Sequence, residues 1–292
     1  HGGPTKNEQS HSRKRVLKNR PVHILFSLIT WLGVFILAFL LFDLVKRGAR
    51  YLHLDFFRNF PSRFANKSGL LPAITGSVWI VLLTAVISIP LSIGAAIYLE
   101  EYASDNRFTR FIKINIANLA GVPSIVYGIF GLSIFVRTLG FGRSILSGAL
   151  TMSLLVMPIV IVSAQETLRT IPQTLRQGSL ALGASRRQTI LGVVVPAAVP
   201  GFLTGIILAV SRALGESAPL LLVGAFSYVS SLPKGPMDSF IALPIQIYTW
   251  MSKPSAEFKD VTAAAILVLM DMLLLLNAAA IIISAKIQKS FE

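Results

Sequence analysis

Long apolar runs separated by short polar, mostly basic stretches fill this chain, and that pattern predicts six membrane-spanning helices. Crossing the hydrocarbon core takes roughly 20 mostly apolar residues. Runs that meet this length lie at 22–42, 75–99, 114–136, 145–163, 191–223 and 261–285. The fifth is long for one straight span. Pro90, Pro158, Pro196, Pro200 and Pro219 fall inside or at the edges of the runs. Each removes a backbone donor and predicts a kink. Proline and glycine cluster in the fifth run (Pro196, Pro200, Gly201, Gly205, Gly215, Pro219), as in the broken helices that build midplane transport sites.

The polar segment between runs four and five has its own punctuation. Pro172 suits the start of a helix, which continues from Thr174 to Leu182 with Leu175, Leu180 and Leu182 available for apolar contacts. Gly183 stands where a left-handed C-terminal cap is wanted. Ser185 and Gln188 form a capping-box pattern that opens the next helix. A short, self-capped helix-turn-helix between two spans is a shape that a cytosolic partner can grip.

Composition agrees with a membrane location. The chain is 53% hydrophobic and 14% charged, against about 25% charged for a soluble domain. It has no cysteine, which excludes disulfides and thiolate metal sites, and its four histidines are scattered, so no metal site is expected. The net charge of +14 is assigned to basic ends of spans near anionic lipid headgroups rather than to nucleic acid. No GxxxxGK[ST] loop is present to cradle ATP, and there is no nucleophile elbow, so neither ATP hydrolysis nor other catalysis is expected of this chain.

Six spans place both termini on one side. The Lys/Arg bias weakly favours a cytoplasmic N-terminus, because the segment after the first run is itself basic. The resulting organisation is a basic cytoplasmic tail (1–21), a first span (22–42), an external loop (43–74), a core (75–285) with a docking segment at 166–190, and a short cytoplasmic tail (286–292).

Charges within spans mark pathways or pairings, because they are costly at membrane depth. Arg212 and Glu216 are one helical turn apart and can meet on one face. Asp271 lies near the middle of the sixth run as a possible charge partner. A guanidinium forks onto oxyanions better than an ammonium does. Ser124 and Ser217 could add hydroxyl donors, or act as contacts between helices. A buried structural pair remains the alternative for Arg212 and Glu216.

Two motifs carry a resemblance. Gln177-Gly178-Ser179, three residues, Gly183, nine residues, Val193, one residue, then Val195-Pro196 repeats the spacing of the cytoplasmic loop in permease subunits of ABC importers. In that family the leading triplet is EAA, which is replaced here. The runs at 118–132, 179–185, 200–222 and 243–250 resemble the A-type permease subunits of phosphate ABC importers, and the run at 212–221 is the part that points to phosphate.

The resemblance implies an all-α, six-span permease of the type I (MetI-like) importer fold in the bacterial plasma membrane. It implies a second homologous permease subunit, two ATP-binding subunits that hold ATP and magnesium, and an extracytoplasmic phosphate-binding protein. This chain would itself hold no cofactor. Inorganic phosphate would pass Arg212, Glu216, Ser217 and Ser124. The ATPase would grip Thr174, Leu175, Gln177, Gly178, Ser179, Leu182, Gly183 and Ala184. Two alternatives stay open: a permease for another oxyanion such as sulfate or molybdate, and a secondary transporter or channel.

Overall fold

The computed structural model describes residues 6–224 and 229–289. The first five residues of the expected tail 1–21 and the last three of the tail 286–292 lie outside the described residues. In chain order the α-helices are α1 (Lys6–Gly48), α2 (Leu54–Arg58), α3 (Leu71–Ile97), α4 (Arg107–Leu119), α5 (Ser124–Gly131), α6 (Ile145–Thr170), α7 (Gln173–Ala181), α8 (Arg186–Thr189), α9 (Val195–Gly215), α10 (Ala218–Val223), α11 (Leu243–Met251) and α12 (Ala256–Lys289). No strand occurs among the described residues.

Among the described residues five helices are long and apolar enough to cross a membrane, and the bent pair α4–α5 makes a sixth if its arms form one span. The helices overrun the expected spans. α1 and α12 extend well beyond 22–42 and 261–285, because polar residues at a helix end can continue a helix into water. The third expected span, 114–136, is not straight. α4 and the helix that begins at Ser124 meet at 101°. Pro123 is the cause, since proline drives the preceding residue out of the helical region and Gly121 loosens the turn.

The fifth expected span, 191–223, is also broken. α8 runs through a π-turn (Ile190–Val194) into α9. The π-turn ends just before Pro196, whose missing N–H would have bonded the Gly192 carbonyl. At the far end Glu216 is extended (φ −77°, ψ 129°), and Pro219 then starts the separate helix α10. Proline at 219 leaves the Gly215 carbonyl without its helical donor, so the break falls there.

α6 is the central post, with α3, α5, α9 and α10 packed around it. In lipid, helices associate through close fit rather than through expulsion of water. The α6–α9 contact shows this. A Cβ at Gly205 would stand 2.8 Å from Ser163 Cβ, and one at Gly201 would stand 3.0 Å from Thr167 Cβ. Gly201 and Gly205 are therefore packing residues, placed one turn apart against two small residues one turn apart on α6. Two members of the proline and glycine cluster are thus packing residues, while Gly215 and Pro219 lie at the break between α9 and α10. On α3, Thr84, Ser88 and Ser92 are buried, and Ser153 Oγ on α6 turns back to the Ala149 carbonyl at 2.7 Å. α1 meets the rest through its end, where Gly48 lies against Ala263 and Ala264 of α12. Far from α7, Trp250 packs between Phe56 and Phe258 and holds the 49–70 segment onto α11 and α12.

Candidate functional site

The docking element has the local chemistry its sequence predicts. Pro172 precedes α7 in an extended conformation (φ −59°, ψ 139°). Gly183 is left-handed at φ +85°. Gly183 N–H donates to the Leu180 carbonyl at 2.9 Å and Ala184 N–H to the Ser179 carbonyl at 3.2 Å, which closes the end of α7. Ser185 Oγ accepts from Gln188 N–H while Gln188 Oε1 accepts from Ser185 N–H at 2.8 Å, a complete capping box.

α7 buries no residue. Thr174, Leu175, Gln177, Gly178, Leu182 and Gly183 are exposed, Leu182 at 91%. Ser179 and Ala184 are half-buried. Ser179 faces inward, its hydroxyl 2.9 Å from that of Thr189.

An acidic pair that the sequence reading passed over anchors this element. The π-turn Tyr98–Tyr102 ends α3 and carries Glu100 and Glu101. Glu100 takes Lys113 of α4 at 2.9 Å and Arg169 of α6 at 2.8 Å. Glu101 takes Arg176 of α7 at 2.6 Å, with a second contact from Nε at 3.4 Å. Arg176 also donates to the carbonyls of Ile171 (2.6 Å) and Leu168 (2.9 Å). Arg186 donates to the Glu101 carbonyl and stacks 5.5 Å over the Tyr102 ring. These groups wall a cleft of about 380 Å³ under α7. The legible signal was Glu-Glu at the end of the second run, facing basic residues in the polar segments.

The second candidate region is the broken end of α9. Arg212 lies in its last turn, and Nε donates to Glu216 Oε1 at 3.2 Å. The Arg212 side chain is 44% exposed and that of Glu216 18%. Among the described residues the two terminal nitrogens of Arg212 make no hydrogen bond. Arg212 is therefore at the end of a helix, not in the middle of a continuous span. By helix rise it stands about 39 Å along the axis from Arg186.

Gly128 of α5 packs against Pro219 of α10 so closely that a Cβ would be 2.7 Å from the proline Cα. Ser124, Tyr127 and Gly128 share that face of α5 by helical spacing. Tyr127 packs onto the cluster that includes Ala209 and Ala213, beside Arg212, and its hydroxyl donates to the Leu119 carbonyl at 2.8 Å. Ser124 and Ser217 are half-buried, and neither hydroxyl is bonded among the described residues. Asp271 is not brought in. It is exposed on α12 and has no ion-pair partner among the described residues. Next to Arg212, Ser211 is tied to Asn277 of α12.

These features define a multi-pass helical membrane subunit, with a projecting helix-turn-helix at one end and a half-exposed arginine at a helix break. Residues 88–291 match the family described as binding-protein-dependent transport system inner membrane component, and the chain belongs to that family. It is 37% identical over 225 residues to the phosphate transport system permease protein PstA 1 of Mycobacterium tuberculosis, covering 76% of this chain and 71% of the relative. It is 31% identical over 269 residues to the phosphate transport system permease protein PstA of Pasteurella multocida, covering 92% and 95%. It is also 35% identical to the probable ABC transporter permease protein YqgI of Bacillus subtilis, covering 70% and 69%.

Among solved structures, a chain of the bacterial alginate ABC transporter superposes with a TM-score of 0.69 at 15% identity, covering 94% of this chain and 98% of that one. A chain of the MetNI methionine ABC transporter gives 0.62 at 16%, covering 75% and 97%. The fold is that of ABC importer permeases, and the chain is a multi-pass inner-membrane protein.

Proposed function

We propose that this chain is a permease subunit of an ATP-driven importer of inorganic phosphate. The observation that carries the reading is Arg212. Its Nε is held by Glu216 while its terminal nitrogens stay open at a half-exposed helix end, on a chain similar over most of its length to relatives named phosphate permeases. A guanidinium held on one side and open on the other can fork onto two phosphate oxygens. Glu216 limits how tightly the anion is held, and the half-buried Ser217 and Ser124 are the hydroxyl donors we assign to the same path. Half-exposure in the single chain fits a pathway shared with a second, homologous permease subunit.

The projecting α7–α8 element is the grip for one of two ATP-binding subunits, which hold ATP and magnesium; this chain needs no cofactor of its own. An extracytoplasmic phosphate-binding protein delivers the anion. The docking element then faces the cytoplasm, as do both termini.

The test is copurification with these partners, reconstitution, and ATPase assay with phosphate, sulfate or molybdate and the cognate binding protein. Phosphate alone should stimulate. Stimulation by sulfate or molybdate instead would make the substrate another oxyanion. Phosphate flux through this chain without ATPase subunits would make it a secondary transporter or channel.

A further inference from the structure

α7 poses a physical question: it projects from the bundle with no buried residue, yet it must transmit force. Its leucines anchor it only partly: Leu175 and Leu180 stay 45% and 48% exposed. What reaches it from the bundle is a set of polar ties centred on Glu101.

We propose that Glu101 is a positioning residue for coupling. Through its clamp on Arg176 it makes the end of α3 move with the docking element, which rests on the ABC permease reading above.

Three observations support this. Both carboxylate oxygens of Glu101 receive the Arg176 guanidinium, with side-chain exposures of only 10% and 14%. A paired and largely desolvated fork is directional, because breaking it leaves a charge without its partner. Second, Arg176 simultaneously bonds the Leu168 carbonyl in the last turn of α6 and the carbonyl of Ile171 just beyond its end, so one guanidinium joins three helices. Third, Arg186 ties α8 to the backbone of Glu101, so both arms of the helix-turn-helix end on the same π-turn.

The neighbouring Glu100 holds α4 and α6 through Lys113 and Arg169. The π-turn presents the two carboxylates to different cations, and Glu101 is the one that faces α7. A displacement of α7 by an ATPase would therefore pull α3 directly, some 75 residues upstream in sequence.

The test uses the assembled complex carrying Glu101→Gln, which keeps the volume and one accepting oxygen but removes the charge and the second acceptor that Arg176 needs. Phosphate taken up per ATP hydrolysed should fall about tenfold, within the range of ordinary coupling free energies, while subunits still copurify. In the cysteine-free chain, Glu101→Cys with Arg176→Cys should show the same loss, and a short bis-maleimide crosslinker, which joins the two thiols as thioethers, should restore the ratio.

A substrate-independent readout separates this idea from the phosphate reading. Spin labels at Ala181 and Tyr98, both exposed, should give one narrow distance that broadens in Glu101→Gln. A complex that moves no phosphate but shows this broadening sinks the substrate assignment and keeps the clamp. An unchanged uptake ratio with an unchanged distance, or equal losses of uptake and assembly that crosslinking does not restore, would overturn the clamp.

Discussion

Nε of Arg212 lies 3.2 Å from Oε1 of Glu216, and α9 ends between the two residues. The pair therefore spans a break in the backbone rather than one side of a continuous helix. Arg212 belongs to α9, whereas Glu216 lies on the extended residue that leads to α10. Under the proposed function, an anion that draws the guanidinium away competes with this carboxylate.

Arg212→Lys keeps the charge and loses the planar fork. Uptake should fall by about 10–100-fold, the worth of one hydrogen bond to a charged group. The double change Arg212→Gln with Glu216→Gln removes both charges at nearly constant volume. Complexes carrying it should assemble and fail to transport. Wild-type uptake by the double variant would make the pair a structural tie only.

Gly183 has no heavy atom within 4 Å of a built Cβ, so only its left-handed backbone forbids a side chain. Gly183→Val should cost roughly 1–2 kcal/mol locally and weaken copurification of the ATPase subunits while the spans still fold. Gly183→Asn should restore much of the binding, since asparagine tolerates this conformation. Intact, fully stimulated complexes with valine would remove the turn from the docking role.

Gly205 and Gly94 offer one substitution with opposite signs. Gly205→Ala places a methyl group against Ser163, whereas nothing lies within 4 Å of a Cβ at Gly94. In detergent the first change should destabilise by about 1–3 kcal/mol. The second should stabilise slightly, by up to about 1 kcal/mol, from helix propensity. Thermal unfolding followed by circular dichroism would read both. Equal shifts of the same sign would show that the α6–α9 contact is looser than described.

Arg187 is exposed on α8 and lies outside the capping box. With no cysteine in the chain, Arg187→Cys gives one thiol. A membrane-impermeant reagent should label it in inverted vesicles and not in intact cells. Labelling of intact cells would reverse the orientation and show that the basic 43–74 segment had reported it correctly.

Local chemistry determined much of this protein before any fold was known. Apolar run length set which segments can span, because a bilayer demands that length whatever the neighbours are. Gly183, Ser185 and Gln188 set the docking turn, because left-handed backbone and helix caps are satisfied within a few residues. Pro219 was among the prolines that predicted kinks, but the 101° bend inside the expected span 114–136 and the separation of α10 appear only in the folded chain. Tertiary structure alone decided the rest. Gly201 and Gly205 became contacts only because Ser163 and Thr167 face them, and Asp271 was left out because its face of α12 turns away from the bundle. Glu101 became the anchor of α7 because folding brings the end of α3 under it. A contact between residues 101 and 176 leaves no periodic trace along the chain, since ion pairs form by proximity in space and not by spacing in sequence.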